Sequence, residues 1–338
     1  MFRALPLLRT TLKKRVVLSA ANDLRCPPAA EILRCDQNDS TPWPTGNPPF
    51  APRTPRATFR RFPALAAAMC ALSVAPQVVR GDDAAEIPKD HAVQVLERRL
   101  NDVTTLYAHL THCSEATITI RVKLKNMVAS RQLPLTVDAC GCREFDLLTI
   151  LPADHAKAWN YDVQQQWQIG RRGDVKNSPF VYALPYLGDQ HVVGQGHLGK
   201  FSHYQGSGNE YAIDWEMPVG TIVAAAREGT VVGVRQDSDV HGISKKYEGT
   251  ANYVVIRHGD GTFAEYIHLK KNGALVQLGD KVKAREPLAL SGNTGLSDGP
   301  HLHFAVFCNI DGDRRRTIPV LFRARDGRAV TPKQGARY

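Results

Sequence analysis

The segment Gly299-Pro300-His301-Leu302-His303-Phe304 sets two histidines two positions apart in an apolar, strand-like context. On a β-strand that spacing turns both imidazoles to one face, so the two rings can share a site. Three further side chains of metal-binding type stand on other segments of the same region. They are His203, Asp214 in Tyr211-Ala212-Ile213-Asp214-Trp215, and His268 in Glu265-Tyr266-Ile267-His268-Leu269. Four imidazoles and one carboxylate are a donor set that suits zinc. One histidine alone is more often a structural residue, so the weight lies on the combination. All 12 histidines of the 338-residue chain lie beyond residue 81, and eight fall from His191 to His303, which confines the candidate chemistry to the later part of the chain.

Other motifs fail on context. Gly194-Gln195-Gly196-His197-Leu198-Gly199 has the dinucleotide spacing and nearly that of a P-loop, but no helix is expected after it, and Phe201 stands where a magnesium-binding hydroxyl is needed. Asp237, Asp239, Gly242 and Glu248 have calcium-loop spacing, but expected strands flank them where helices are required. There is no His-Glu-x-x-His and no Gly-x-Ser-x-Gly, which removes the signatures of thermolysin-like proteases and α/β-hydrolases.

The ordered motifs of residues 194 to 310 resemble the lysostaphin-type, or LytM-like, zinc endopeptidases of cell-wall peptidoglycan. The resemblance rests on Ser202-His203, Tyr211 to Asp214, Met217-Pro218-Val219-Gly220-Thr221 and the run VAAAREGTVV at 223–232. It continues through Asn252 to Gly261, Tyr266 to Leu269, Val276 to Asp280, Ser291-Gly292-Asn293-Thr294-Gly295 and Gly299 to Phe304. It implies His203, Asp214 and His303 as zinc ligands, with His268 and His301 as the catalytic histidines; the resemblance, and not spacing, assigns the metal to His303 rather than His301. One departure stands out. The family usually has three residues between its first histidine and the aspartate, and here ten intervene, Tyr204 to Ile213. The longer loop either reshapes the substrate groove or lets Glu210 replace Asp214; Asp214 is preferred because it lies within the matching strand.

Three protein ligands leave a position open for water, the arrangement of a catalytic rather than a structural zinc. The implied function is zinc-dependent hydrolysis of amide bonds in peptidoglycan stem peptides or cross-links. Two other readings stay open: a catalytically silent wall-binding or amidase-activating protein of the same fold, and an endopeptidase acting on glycine-rich proteins.

These residues need a β scaffold. Short alternating segments at 211–216, 221–226, 230–235, 253–258, 263–268, 287–291 and 301–307 are read as strands, with Gly259-Asp260-Gly261 and Asn272-Gly273 as hairpin turns. Earlier, residues 116–124, 133–139 and 145–151 read as strands of a small sandwich-like domain. Val93, Leu96, Leu100, Val103, Leu106 and Leu110 recur at three- and four-residue steps, which predicts an amphipathic helix over residues 91–110. The fold class is therefore mainly β: an N-terminal helix and a β-rich accessory domain at 82–180, a loop-rich junction, and a β-sheet peptidase domain at 190–325.

Residues 1–81 form the presequence in this reading. Proline-rich, aperiodic residues 1–59 are expected to be disordered, and Arg60-Arg61 precede the apolar run FPALAAAMCALSVA at 62–75, the layout of a secretory signal, which places the natural start near residue 57. Export to the periplasm or the exterior follows, with no stable membrane span after signal removal. The net charge of +10 is not a nucleic-acid footprint, because 12 of the 43 Lys and Arg against four acids sit in residues 1–81, leaving 31 basic against 29 acidic residues beyond. Four cysteines follow residue 81, and a disulfide between Cys113 and either Cys140 or Cys142 is expected of an exported protein.

Overall fold

The structure is a computed structural model that describes residues 10–13, 90, 92–140 and 144–338. β-Branched and apolar residues at period two dominate these segments, and strands form nearly all the regular structure; a 3-10 turn at Lys245–Tyr247 is the only helical element among the described residues. No helix among them is long and apolar enough to cross a membrane. The signal-like stretch at 62–75 lies outside the described residues. Of the presequence, Thr10–Lys13 is described as a strand paired antiparallel with residues 162–165, which departs from the disorder expected of 1–59.

The helix expected over residues 91–110 does not form. Val93–Leu100 and Val103–Leu110 are instead an antiparallel hairpin closed by Asn101 and Asp102, with Asn101 at φ 53 in the left-handed region that asparagine tolerates in tight turns. Period two wins because Thr104, Leu106, Ala108 and Leu110 face inward together. Leu96, Leu100 and Val103, half of the supposed helical stripe, are exposed.

The site rests on an eight-stranded antiparallel sheet, whose strands are numbered here β1 (Val192–Gln195), β2 (Ile213–Glu216), β3 (Gly229–Arg235), β4 (Tyr253–Arg257), β5 (Phe263–Ile267), β6 (Lys281–Val282), β7 (His301–Asn309) and β8 (Arg315–Thr317). Their order is β1-β2-β7-β5-β4-β3-β6, with β8 paired to β7. Alternation sends Trp215, Val254, Ile256, Tyr266, Leu302, Phe304 and Val306 to one apolar core. Leu269–Ala274 and Pro287–Ser291 pair in a smaller sheet that supplies Leu269, Leu288 and Ala289 to that core. Asn272, expected in a hairpin turn, sits instead at a bulge within Leu269–Ala274, with φ 54.

The opposite face of the sheet serves two purposes. Phe263, Phe307, Val255, Tyr253 and Ile267 join a second apolar core with Ile118, Ile120, Leu106 and Ile150 from the earlier strands. Those strands form two antiparallel sheets, Val93–Leu100, Val103–Leu110, Glu144–Pro152 and Met127–Ala129 in one, and Glu115–Lys125 between Asn160–Ile169 and Leu135–Cys140 in the other. Backbone bonds from Ser114 N–H to Val232 O (2.9 Å) and Val234 N–H to His112 O (2.8 Å) stitch this region to β3. The expected Cys113 disulfide is absent: Cys113 is a free, buried thiol 3.7 Å from Ala92 O inside the second core, and Cys140 is disulfide-bonded to a residue other than Cys113 or Cys308.

Candidate metal centre

Strand register brings the candidate residues to one face. Gln195 on β1 stands opposite Asp214 on β2, which stands opposite His303 on β7, and Glu216 stands opposite His301. On the far side of β7, Ile267 pairs with His303 and Glu265 with Ala305, so Glu265 shares that face. His203 arrives from the loop before β2. One ligand atom each from His203, Asp214 and His303 lies within 4.8 Å of the others, a group able to hold a metal ion. Asp214 Oδ2 is 3.3 Å from His203 Nε2, and Asp214 Oδ1 is 2.9 Å from His303 Nδ1.

Backbone and carboxylate partners decide which nitrogen each imidazole presents. His203 donates from Nδ1 to Gly196 O at 3.1 Å, which turns Nε2 into the site, fully buried and without a hydrogen-bond partner. A buried acceptor nitrogen left unsatisfied is costly, and a bound cation removes that cost, so the donor set fits a divalent metal. His303 sets Nε2 at 3.4 Å from Glu265 Oε1, an ion-pair distance without a hydrogen bond, and Nδ1 beside Asp214 at 2.9 Å.

His268 and His301 lie next to this group, with ring centroids 4.4 Å apart and His268 6.2 Å from His303. His268 donates from Nδ1 to Thr294 O (2.7 Å) and His301 from Nδ1 to Gly299 O (2.8 Å), so Nε2 is the basic atom of each. His268 has φ 67, outside the strand region. That left-handed residue ends the alternation of β5 and re-aims the imidazole beside His301.

Electrostatics follow from the packing. Burial alone would raise the Asp214 carboxyl, but His203 and His303 hold it well below the usual carboxylate range. Burial opposes a charged His303, yet the hydrogen bond to Asp214 and the nearby Glu265 lift it to about 9. Burial, then His301 and His303, push His268 down to about 3. Burial disfavours an ionised Glu265, but Arg315 and His303 bring it down to about 2.

Glu210, the alternative to Asp214, is not in the group: its carboxylate accepts from Gly206 N–H (2.7 Å) and the Thr317 hydroxyl (3.2 Å). His241 is exposed, in a two-residue strand, His241–Gly242, that pairs parallel with Gly295–Leu296. His258, just before the Gly259-Asp260-Gly261 turn, is 1% exposed and donates from Nδ1 to Glu228 O at 2.8 Å. His191 packs on Tyr186 and His197 on Tyr211, and Trp215 belongs to the core rather than to a groove.

Two contributors lack any local sequence signal. Gln195, buried on β1, donates to Asp214 Oδ2 (3.0 Å) and Ser202 Oγ (2.8 Å), while its Oε1 accepts from the backbone N–H groups of Phe201 (2.9 Å) and Ser202 (3.2 Å). It thus ties the loop bearing His203 to Asp214. Glu265 is the other, and only its place two strand positions from Ile267 hints at the shared face. The group opens into a groove of about 700 Å³ rimmed by Phe201, Glu216, Ile243, Leu296 and Asp298. Asp90 is the sole groove-lining residue before Gly194 among the described residues, and its carboxylate is engaged by Tyr253 Oη and Ala92 N–H.

Part of the chain is similar in sequence to known proteins. An uncharacterized metalloprotease of Buchnera aphidicola subsp. Baizongia pistaciae is 31% identical over 134 residues, which is 39% of this chain and 32% of that protein. A peptidoglycan DD-endopeptidase of Vibrio cholerae is 43% identical over 93 residues, 28% of this chain and 19% of that one. Lysostaphin of Staphylococcus simulans is 33% identical over 116 residues, 34% of this chain and 21% of its own length. The chain therefore spans less than a third of the length of each of these relatives. Residues 208–314, which hold Asp214, His268, His301 and His303, match the model of peptidase family M23.

Proposed function

We propose that this chain is an exported zinc endopeptidase that hydrolyses amide bonds of peptidoglycan stem peptides or cross-links, with residues 82–180 as an accessory region to a peptidase region at 190–325. The observation that carries this reading is the convergence of His203 Nε2, Asp214 and His303 Nδ1 at the head of a groove, beside the paired rings of His268 and His301. The names of the relatives, a peptidoglycan DD-endopeptidase and lysostaphin, support the substrate class. His203, Asp214 and His303 would hold the metal. When bound, zinc supplies Lewis acidity for amide hydrolysis.

The chain's own residues do the rest. Thr294 O and Gly299 O fix the proton of His268 and of His301 on Nδ1, so each Nε2 faces the site as an acceptor: His301 takes a proton in the reaction and returns it to the departing amine, and His268, which burial keeps neutral, accepts a hydrogen bond beside it. Gln195 holds one Asp214 oxygen by a hydrogen bond. The groove admits an extended peptide, and its rim carries both apolar and acidic side chains.

Metal content and release of soluble muropeptides from purified peptidoglycan, measured together, test the reading. One zinc per chain is expected, lost in His303→Ala and retained without hydrolysis in His301→Ala. Zinc binding unaffected by His303→Ala, or hydrolysis that persists in His301→Ala, would overturn it.

A further inference from the structure

The sheet face that bears the candidate metal group also holds a buried ion pair that the hydrolytic chemistry does not itself require. Glu265 on β5 and Arg315 on β8 are 3% and 8% exposed, and they meet as a fork, Arg315 Nη1 to Glu265 Oε2 at 2.6 Å and Nη2 to Oε1 at 2.7 Å. A pair this deep loses much of its attraction to desolvation, and an apolar pair of the same volume would stabilise the sheet as well. Its remaining contacts are more telling. Glu265 Oε1 is also 3.4 Å from His303 Nε2, on the ring edge away from Asp214. Arg315 donates from Nε to Gly208 O (3.1 Å) and from Nη2 to Asn209 Oδ1, while its guanidinium lies over the Phe307 ring at 4.8 Å.

Gly208 and Asn209 sit in the ten-residue segment between His203 and Asp214. A segment of that length has more freedom to lose on folding than a short one, so the position of His203 relative to Asp214 needs an external anchor. β8 supplies it: Arg315 grips Gly208 and Asn209, and Thr317 Oγ1 accepts from Tyr211 N–H at 3.2 Å.

We infer that Glu265 and Arg315 are positioning residues that act on two ligands at once, Glu265 by orienting His303 through Nε2 and Arg315 by latching the long segment that joins His203 to Asp214. The first half rests on the metal reading above; the second stands on the loop contacts alone. A carboxylate behind a ligating imidazole fixes its tautomer and raises its basicity, and loss of such a partner typically weakens metal binding 10- to 100-fold. Arginine suits the second task because its planar fork can hold a carboxylate and two loop acceptors together, which a lysine ammonium cannot match.

Two measurements on the full chain decide it: zinc affinity by competition with a chromophoric chelator, and amide hydrogen exchange of the metal-free protein. Glu265→Gln should weaken zinc binding at least 10-fold and move the cobalt(II) absorption bands, with the unaltered chain as reference. Arg315→Lys should speed exchange at Gly206 to Asn209 at least 10-fold while β7 stays protected. If Glu265→Gln does not fold, Glu265→Asp, which keeps the charge but draws the oxygen away from His303, takes its place with the same two readouts. Zinc affinity within twofold of the unaltered chain, or unchanged exchange in Arg315→Lys, overturns the corresponding half. Failure of the unaltered chain to bind zinc would sink the metal reading and the His303 half with it, while the exchange result still decides the latch.

Discussion

His203, His268 and His301 each have Nδ1 committed to a backbone carbonyl and Nε2 presented to the site, so the chemistry depends on acceptors that are not themselves reactive. Gln195 is the most exacting of these supports, since one side chain bonds Asp214, Ser202 and Phe201. Gln195→Ala should therefore reduce zinc affinity roughly 10-fold while the circular dichroism spectrum is retained; unchanged affinity would mean that the clamp is incidental. His258, which is not a member of the metal group, gives a separate prediction. Burial, opposed by its bond to Glu228 O, leaves His258 titrating at about 4. Its unfolded value is near 6.5, so between those values the unfolded chain binds more protons than the folded one. Stability from this residue is full above about pH 6.5 and falls as the pH drops through 4, by up to roughly 3 kcal/mol. Denaturant melts from pH 7 to 4 should show a shallower acid loss in His258→Gln than in the unaltered chain.

At the scale of elements, the two histidine-bearing segments are held together by close backbone approach. Gly292 bridges to His301, and a Cβ at Gly292 would lie 2.5 Å from Lys270 N and 2.6 Å from Leu269 C, directly after His268. Backbone atoms cannot yield as a side-chain tip can, so Gly292→Ala must push the segment after His268 away from the one leading to His301. We expect a destabilisation of about 1–3 kcal/mol and a loss of muropeptide release larger than the fraction unfolded explains. Activity that tracks folded protein alone would contradict this. The same scale shows where periodicity misleads. The stripe at residues 93–110 satisfies both a helix and a hairpin, and the hairpin forms because cross-strand partners, Val93 with Leu110 and Leu106 with Leu148, bury one face. Asn160–Ile169 escapes a hydrophobic pattern because of its run of glutamines. Gln165 and Gln166 are buried there by tertiary bonds, to Val95 N–H and to Asp313, which a pattern of apolar residues does not register.

For the whole molecule, the shared second core means that the accessory sheets and the central sheet support each other. Phe263 and Phe307 stack with centroids 5.7 Å apart, against Ile118, Ile120 and Ile169. Phe307→Ala should cost about 3–5 kcal/mol and leave a single calorimetric transition at lower temperature. Two separate transitions, with only one shifted, would show that the regions fold independently. Zinc at 100 times its Kd should add about 2.7 kcal/mol to the stability of the full chain, so chelation should lower its melting temperature and zinc should restore it.

Residue types and motif order were enough to nominate His203, Asp214, His268, His301 and His303 and to read most strands from residue 211 to 307, because period-two alternation and a His-x-His spacing are local properties. Tertiary structure alone decided that ten intervening residues still return His203 to Asp214, that Gln195, Glu265 and Arg315 stand behind them, and that Cys113 stays a free thiol. These depend on the register between strands distant in sequence and on which buried carbonyl or carboxylate meets each ring, and both are set by hydrogen bonds across the fold rather than along the chain.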